Sequence, residues 1–239
     1  MGKQNIVLDC DGILADCLGY ITQHLGTKYN TDFSAESWQE QDFREWPQYK
    51  KEDEEYFQSS GLCLNFKPYP GAANFVEELH RRDLEVIYCT SPYRGSPTWT
   101  YDRTKWLARE FGADRKSIIF ASTGMKKFVS GYTLIDDHPV NCTTWSEHNK
   151  QPAILFNRPW NKKFREEENF KHRHFSFQAS PVFYPAAINE DIFIPVRQKS
   201  KEIHHIVGLE ESYGIDCAEN YEQILSILDF YKPRVFSKV

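Results

Sequence analysis

Apolar positions along the chain fall into two alternating kinds of run. The first kind is short and continuous: "NIVLD" (5–9), "LEVIYC" (84–89), "SIIFA" (117–121), "YTLID" (132–136) and "PAILF" (152–156). Runs of this length, apolar on successive residues and rich in β-branched side chains, predict strands buried on both faces. The second kind has helical spacing. "ANFVEELHRR" (73–82) puts Phe75, Val76 and Leu79 on one face, and "TWTYDRTKWLAREFG" (98–112) stops at Gly112. "AENYEQILSILDFY" (218–231) does the same with Ala218, Tyr221, Ile224, Leu225, Leu228 and Tyr231. Strands alternating with helices predict an α/β fold, a Rossmann-like, doubly wound parallel sheet.

Two segments interrupt this rhythm. Residues 16–66 are polar but rich in aromatics, with apolar spacing around Phe43, Trp46, Tyr49, Tyr56 and Phe57 and a break at Pro47. They predict a small helical cap inserted after the first strand, closed by the turn "KPYPGA" (67–72). Residues of about 162–217 read as irregular or antiparallel structure inserted before the last helix. The core is then 1–15 and 67–239.

Composition narrows the picture only where it excludes something. The chain has 239 residues, enough for one large domain with a modest insertion. A net charge of −5 and the lack of a basic stripe argue against a duplex nucleic-acid partner. A small anionic ligand remains compatible, because a local basic pocket does not need a basic protein. No run of 18 apolar residues predicts a membrane span. The first residues are too polar for a secretory signal, and the start does not fit the myristoylation pattern. The six cysteines form no C-x-x-C pair and read as reduced, in a cytoplasmic setting. His172, His174, His204 and His205 lack an acid or Cys partner at ligand spacing and are set aside as metal ligands.

The candidate chemistry sits where predicted strands end, which in an open parallel sheet is one edge. "DCDG" puts Asp9 and Asp11 two residues apart beside Gly12. Two carboxylates so close need a cation or a shared proton, and Mg²⁺ with a substrate phosphate would serve. "CTSPYR" supplies Thr90 and Ser91, hydroxyls and free N–H groups suited to phosphate oxygens. "GMKK" offers Lys126 and Lys127, and "LIDD" a second acid pair, Asp136 and Asp137.

Acid pair, hydroxyl, lysine, acid pair, in that order, resembles the haloacid dehalogenase-like phosphohydrolase superfamily. "DCDGILAD", "CTSP", "TLIDD" and "ILFNRPWN" are similar to the pyrimidine 5′(3′)-deoxyribonucleotidases, over residues 5 to about 160 and the last helix. The resemblance implies a Mg²⁺-dependent phosphomonoesterase acting on nucleoside 5′-monophosphates. Asp9 would be the nucleophile and Asp11 the general acid and base. Gly12, Thr90, Ser91, Arg94 and Lys126 would hold phosphate, Arg94 standing where the family has a lysine. The family spacing favours Lys126 over Lys127. Mg²⁺ would be held by Asp9, the Asp11 carbonyl and Asp136, with Asp137 in support. Cys17 replaces a family Phe that packs on the base, so Trp38, Phe43 or Trp46 would have to substitute. Two alternatives stand beside this: a phosphatase of another phosphoester, such as a sugar phosphate or nucleic-acid 3′-phosphate, and a binding protein on this fold. A homodimer is compatible with either.

Overall fold

The structure is a computed structural model describing residues 4–32, 43–46, 49–166 and 215–235. Its centre is a six-stranded, wholly parallel sheet in the order β3-β2-β1-β4-β5-β6. The strands are β1 (Gln4–Leu8), β2 (Leu84–Thr90), β3 (Ile118–Phe120), β4 (Thr133–Asp136), β5 (Ala153–Phe156) and β6 (Ile215–Ala218). The helices are α1 (Cys17–Tyr29), α2 (Asp53–Phe57), α3 (Ala72–Arg81), α4 (Trp99–Phe111), α5 (Pro139–Asn149), α6 (Lys162–Glu166) and α7 (Tyr221–Val235).

The strand sequences explain the burial. Along β1, Ile6 and Leu8 join one buried cluster, while Val7 joins another on the opposite face. A strand that is apolar at every position needs cover on both sides. On the first face lie α1, α3, α4 and α7, through Leu25, Leu79, Leu107, Ile224 and Leu228. On the second lies α5, through Cys142 and Trp145.

Within 16–66, the described elements are α1, α2 and two 3-10 turns, Phe43–Glu45 and Leu62–Asn65. Leu18, Ile21, Phe57 and Leu62 share the buried cluster of β1 and β2. Asp102 of α4 accepts the Gly61 amide at 2.8 Å and so ties this segment to the helix that follows β2.

Two elements depart from the sequence reading. β6 lies at 215–218, where the insertion was expected to run to about 217. It is a short edge strand with half-buried Asp216 and Cys217, so its pattern reads as loop. Residues 167–214 of that insertion, with the four histidines above, lie outside the described residues. α5 was not anticipated, because "PVNCTTWSEHN" carries β-branched and capping-type residues of low helix propensity. It is started by Pro139 in its first turn and by the His138 ring, which accepts the Val140 amide at 3.2 Å.

Candidate active site

β1, β2 and β4 deliver their C-terminal ends to one edge of the sheet. The Asp9 amide donates to the Ile135 carbonyl at 2.9 Å, so Asp9 extends the β1–β4 ladder by one residue. The chain then turns sharply. The Cys10 carbonyl accepts the amides of Ile13, Leu14 and Ala15. Gly12 takes φ +76°, and a Cβ there would sit 2.2 Å from Asp137 Oδ2. Only glycine lets this turn approach the second acid pair so closely.

Lys126 lies at the centre. Its Nζ is 2.7 Å from Asp9 Oδ1 and 2.7 Å from Asp136 Oδ2, and its side chain is buried. Lys127 lies half-buried, its ammonium over the Phe128 ring. Asp136 is fully engaged. Its Oδ1 accepts the His138 amide (2.8 Å) and the Asn141 side-chain amide (3.2 Å), and its Oδ2 accepts Lys126 and Asn141 (3.0 Å). Asn141 is itself held by the Gly124 amide at 2.9 Å.

Asp137 is different. It lines the cleft with Asp9, Asp11, Gly12, Cys17, Ser91 and Trp160. Its Oδ2 accepts the Trp160 indole N–H at 2.8 Å, and its Oδ1 accepts nothing among the described residues. The sequence reading gave Asp136 to the metal and Asp137 to a supporting role. The hydrogen bonds distinguish the two: both oxygens of Asp136 are taken up, one of them by Lys126, while Asp137 keeps an oxygen without a partner among the described residues.

The cluster is short of positive charge. Asp9, Asp136 and Asp137 bring ligand oxygens within 4.8 Å of one another, against one buried ammonium. Burial, then the Asp136 charge, pushes the Asp9 carboxyl up to about 7, even with Lys126 beside it. Burial and the charges of Asp9 and Asp136 hold Asp137 well above the usual carboxylate range. For Lys126, burial works against the charge, but Asp136 and Asp9 outweigh it and keep the ammonium protonated. With all three carboxylates ionised, the cluster would carry two negative charges more than the one ammonium offsets. That donor set, all oxygen and partly unsatisfied, fits a hard divalent cation such as Mg²⁺.

A stability prediction follows with a definite sign. Raised carboxyls bind more protons in the folded than in the unfolded chain, so stability falls as pH rises from the unfolded value of 3.8 through about 7. His138, lowered by burial, acts in the opposite sense below its ordinary 6.5. Without divalent metal, the melting temperature is therefore expected to drop between pH 6.5 and 8. Added Mg²⁺ should raise it more at pH 8 than at pH 6.5, because protonated carboxylates are poor ligands. Differential scanning calorimetry with EDTA and with Mg²⁺ checks both; a metal-free melting temperature that rises over this interval would contradict the charge account.

The remaining expected residues are placed as follows. Ser91 lines the cleft, its hydroxyl donating to the Ala121 carbonyl at 3.0 Å. Thr90 is buried at the end of β2, and its hydroxyl has no partner among the described residues. Arg94 does not join them. It is exposed in a turn and is not among the cleft-lining residues, although its neighbours Tyr93 and Ser96 pack against the core and the Ser59 carbonyl. Cys17 and Leu18, at the start of α1, form part of the wall. Trp46 packs against the core cluster rather than lining the cleft. Phe43 is described only as backbone in its 3-10 turn, and Trp38 lies outside the described residues.

Sequence reasoning missed Trp160, Asn141, Arg158 and Arg103. Trp160 packs across Gly12, its ring 3.1 Å from where a Cβ would be. Arg158 Nε donates to the Gly12 carbonyl at 2.6 Å, its guanidinium over the Tyr69 ring. Arg103, fully buried, donates to Asp11 Oδ1 at 2.6 Å. A signal existed for Arg103: it lies on the same helical stripe as Trp99, Trp106 and Leu107.

Comparison with known proteins adds to this geometry. The family model described as "5' nucleotidase, deoxy (Pyrimidine), cytosolic type C protein" matches residues 3–177. The mitochondrial 5′(3′)-deoxyribonucleotidase of Mus musculus is 28% identical over 159 residues, 63% of this chain and 71% of its own. Its Homo sapiens counterpart is 29% identical over 142 residues, 56% of this chain and 62% of its own. A Bordetella pertussis protein provisionally named 5′(3′)-deoxyribonucleotidase is 27% identical over 164 residues, 66% of this chain and 85% of its own. Among solved structures, a haloacid dehalogenase-like family hydrolase of Streptococcus pneumoniae aligns with a TM-score of 0.40 at 13% identity, covering 65% of this chain and 85% of that one.

Proposed function

The chain belongs to the 5′ nucleotidase, deoxy (pyrimidine), cytosolic type C family and is a phosphoric monoester hydrolase; on that premise we propose that it is a Mg²⁺-dependent phosphatase of nucleoside 5′-monophosphates, deoxyribonucleotides among them. The observation that carries this reading is the Asp9 carboxylate at the end of β1. It is held on one oxygen by buried Lys126, and it opens with Asp11, Ser91 and Asp137 onto one cleft.

The chemistry follows from those positions. An Asp9 oxygen attacks phosphorus, and the bond from phosphorus to the sugar oxygen breaks, leaving an aspartyl-phosphate. Asp11 gives its proton to the departing oxygen. Asp11 then takes a proton from water as that water attacks phosphorus, and the Asp9 carboxylate is released. Lys126, the Thr90 hydroxyl and the amide groups after β2 neutralise and orient the phosphate oxygens. Asp9, Asp137 and the Asp11 carbonyl are the groups assigned to Mg²⁺. Bound there, the ion would offset the charge of the acid cluster and of the phosphate.

The test is a panel of nucleoside 5′-monophosphates and sugar phosphates, each assayed for phosphate release with Mg²⁺ and with EDTA. Nucleotide turnover that requires Mg²⁺ supports the reading; turnover confined to sugar phosphates transfers it to another phosphoester. Cys17 in the cleft wall is the observation that keeps this second substrate class in view.

The metal assignment is checked separately. Asp137→Asn is expected to weaken Mg²⁺ binding, read by titration calorimetry, by roughly a hundredfold, since loss even of an outer-sphere partner costs about 10–100-fold. Asp136→Asn should act first on stability, through loss of the Lys126 pairing. The opposite ranking in the titrations would return Asp136 to the metal.

A further inference from the structure

Arg103 raises a question that the family chemistry does not answer. It is a guanidinium with no exposed surface, on a helix face it shares with Trp99, Trp106, Leu107 and the buried Asp102, whose carboxylate is taken up by the Gly61 amide and the Thr98 hydroxyl. Its Nη2 donates to Asp11 Oδ1 at 2.6 Å. Its Nε and Nη1 find no acceptor among the described residues. Instead the group is surrounded by rings, with the Trp106, Trp99 and Phe66 centroids at 5.1, 5.2 and 5.6 Å.

This is a poor arrangement if its purpose is stability. Burying a charge with two unused donors is costly, and an apolar side chain of similar volume commonly serves a core as well or better. Aromatic faces recover part of that cost and fix the guanidinium in place. The rings themselves are held. Trp106 Nε1 donates to the Phe66 carbonyl at 2.8 Å, and Phe66 and Trp99 meet edge to face at 5.8 Å. A rigid cage therefore points one fork of the guanidinium at one oxygen of Asp11.

Asp11 needs such a restraint. It follows the last residue of the extended ladder by two positions, stands beside Gly12, and its side chain is 29% exposed at the cleft. Left alone, a short acid on a glycine turn samples several rotamers. With Oδ1 held, the second oxygen remains to carry the proton that the leaving group needs.

We propose that Arg103 is a positioning residue for Asp11, fixing the acid in the orientation from which it protonates the departing sugar oxygen. The inference rests on the phosphatase reading above. It predicts a dependence on the leaving group, because an alkoxide needs that proton and a nitrophenolate does not.

The experiment compares kcat/KM for a nucleoside 5′-monophosphate and for p-nitrophenyl phosphate, with Mg²⁺, in the unsubstituted enzyme, Arg103→Met, Arg103→Lys and Asp11→Ala. General acid catalysis typically contributes about 10²–10⁴-fold. Arg103→Met is expected to lose about thirtyfold or more on the nucleotide and less than about threefold on the aryl ester. Arg103→Lys should restore part of the nucleotide rate. On the Asp11→Ala background, Arg103→Met should add no further selectivity, since the group it positions is gone. Equal losses on both substrates, or none on either, overturn the inference, as does selectivity that persists without Asp11. If Arg103→Met does not fold, Arg103→Lys and Arg103→Gln decide by the same ratio. An unsubstituted enzyme silent on both substrates overturns the phosphatase reading instead, so the two failures are distinct.

Discussion

Asp9→Asn is expected to reduce phosphate release by roughly a thousandfold or more while raising the melting temperature of the metal-free protein. The first effect follows from the proposed role: removing a nucleophile in other covalent mechanisms costs up to about 10⁶ in kcat. The second follows from the charge imbalance. Asp9 is 7% exposed, its carboxyl is pushed up to about 7, and it shares its surroundings with Asp136 and Asp137. An amide of the same shape removes one of the excess charges. Its carbonyl oxygen can still accept Lys126, and its partner oxygen carried no bond to lose among the described residues. Activity and stability thus move in opposite directions, which a variant damaged in folding cannot imitate. Thermal denaturation at pH 8 with EDTA and a nucleotide assay with Mg²⁺ measure the pair. Retention of activity within about tenfold would remove Asp9 from the nucleophile's role, and a fall in melting temperature would sink the charge argument.

Lys126→Met should fail on both counts. The side chain is 1% exposed, and its ammonium is the cation nearest Asp9 and Asp136, at 2.7 Å from each. Deleting one partner of a buried ion pair costs about 3–5 kcal/mol, because the other is left uncompensated. Two carboxylates are left here, and protonation of one relieves only part of that. Phosphate release should fall by about a hundredfold or more, as when a preorganised donor to the reacting group is removed. Lys127→Met is the control. It is adjacent in sequence but half-buried and clear of the acids, and a change there is expected to stay within about 0.5 kcal/mol. Urea denaturation midpoints for both, with an activity assay, are enough. Equal stability of the two variants would mean that the Lys126 pairs contribute nothing net.

The contrast between Asp136 and Asp137 shows how legibility ends. Both acids are plain in "LIDD", and their place at a strand end is plain too. Which faces the cleft is not, since that depends on Asn141 arriving from α5 and Trp160 from beyond β5. Neither residue carries a local signal of its task. Arg94 shows the converse. Its position in "CTSPYR" resembles that of a phosphate-side cation, but the turn carries it into solvent.

By itself the sequence determined the strands, because five runs apolar at successive positions can be buried only in a sheet covered on both faces. It also placed Asp9, Asp11, Thr90 and Asp136 at one edge, because residues that end parallel strands meet there, whereas Lys126 enters from the 3-10 turn between β3 and β4. Only the tertiary structure decided how the charges are shared. It placed α5, whose weak periodicity gave no warning. It also extended the sheet by β6, as short as an ordinary loop. It saturated Asp136, left Asp137 an oxygen at the cleft, and set Arg103 behind Asp11 in a cage of rings from 60 to 110. The physical reason is range. Burial patterns are local and recur with the period of the element, whereas hydrogen-bond saturation and charge balance depend on partners brought in from anywhere along the chain.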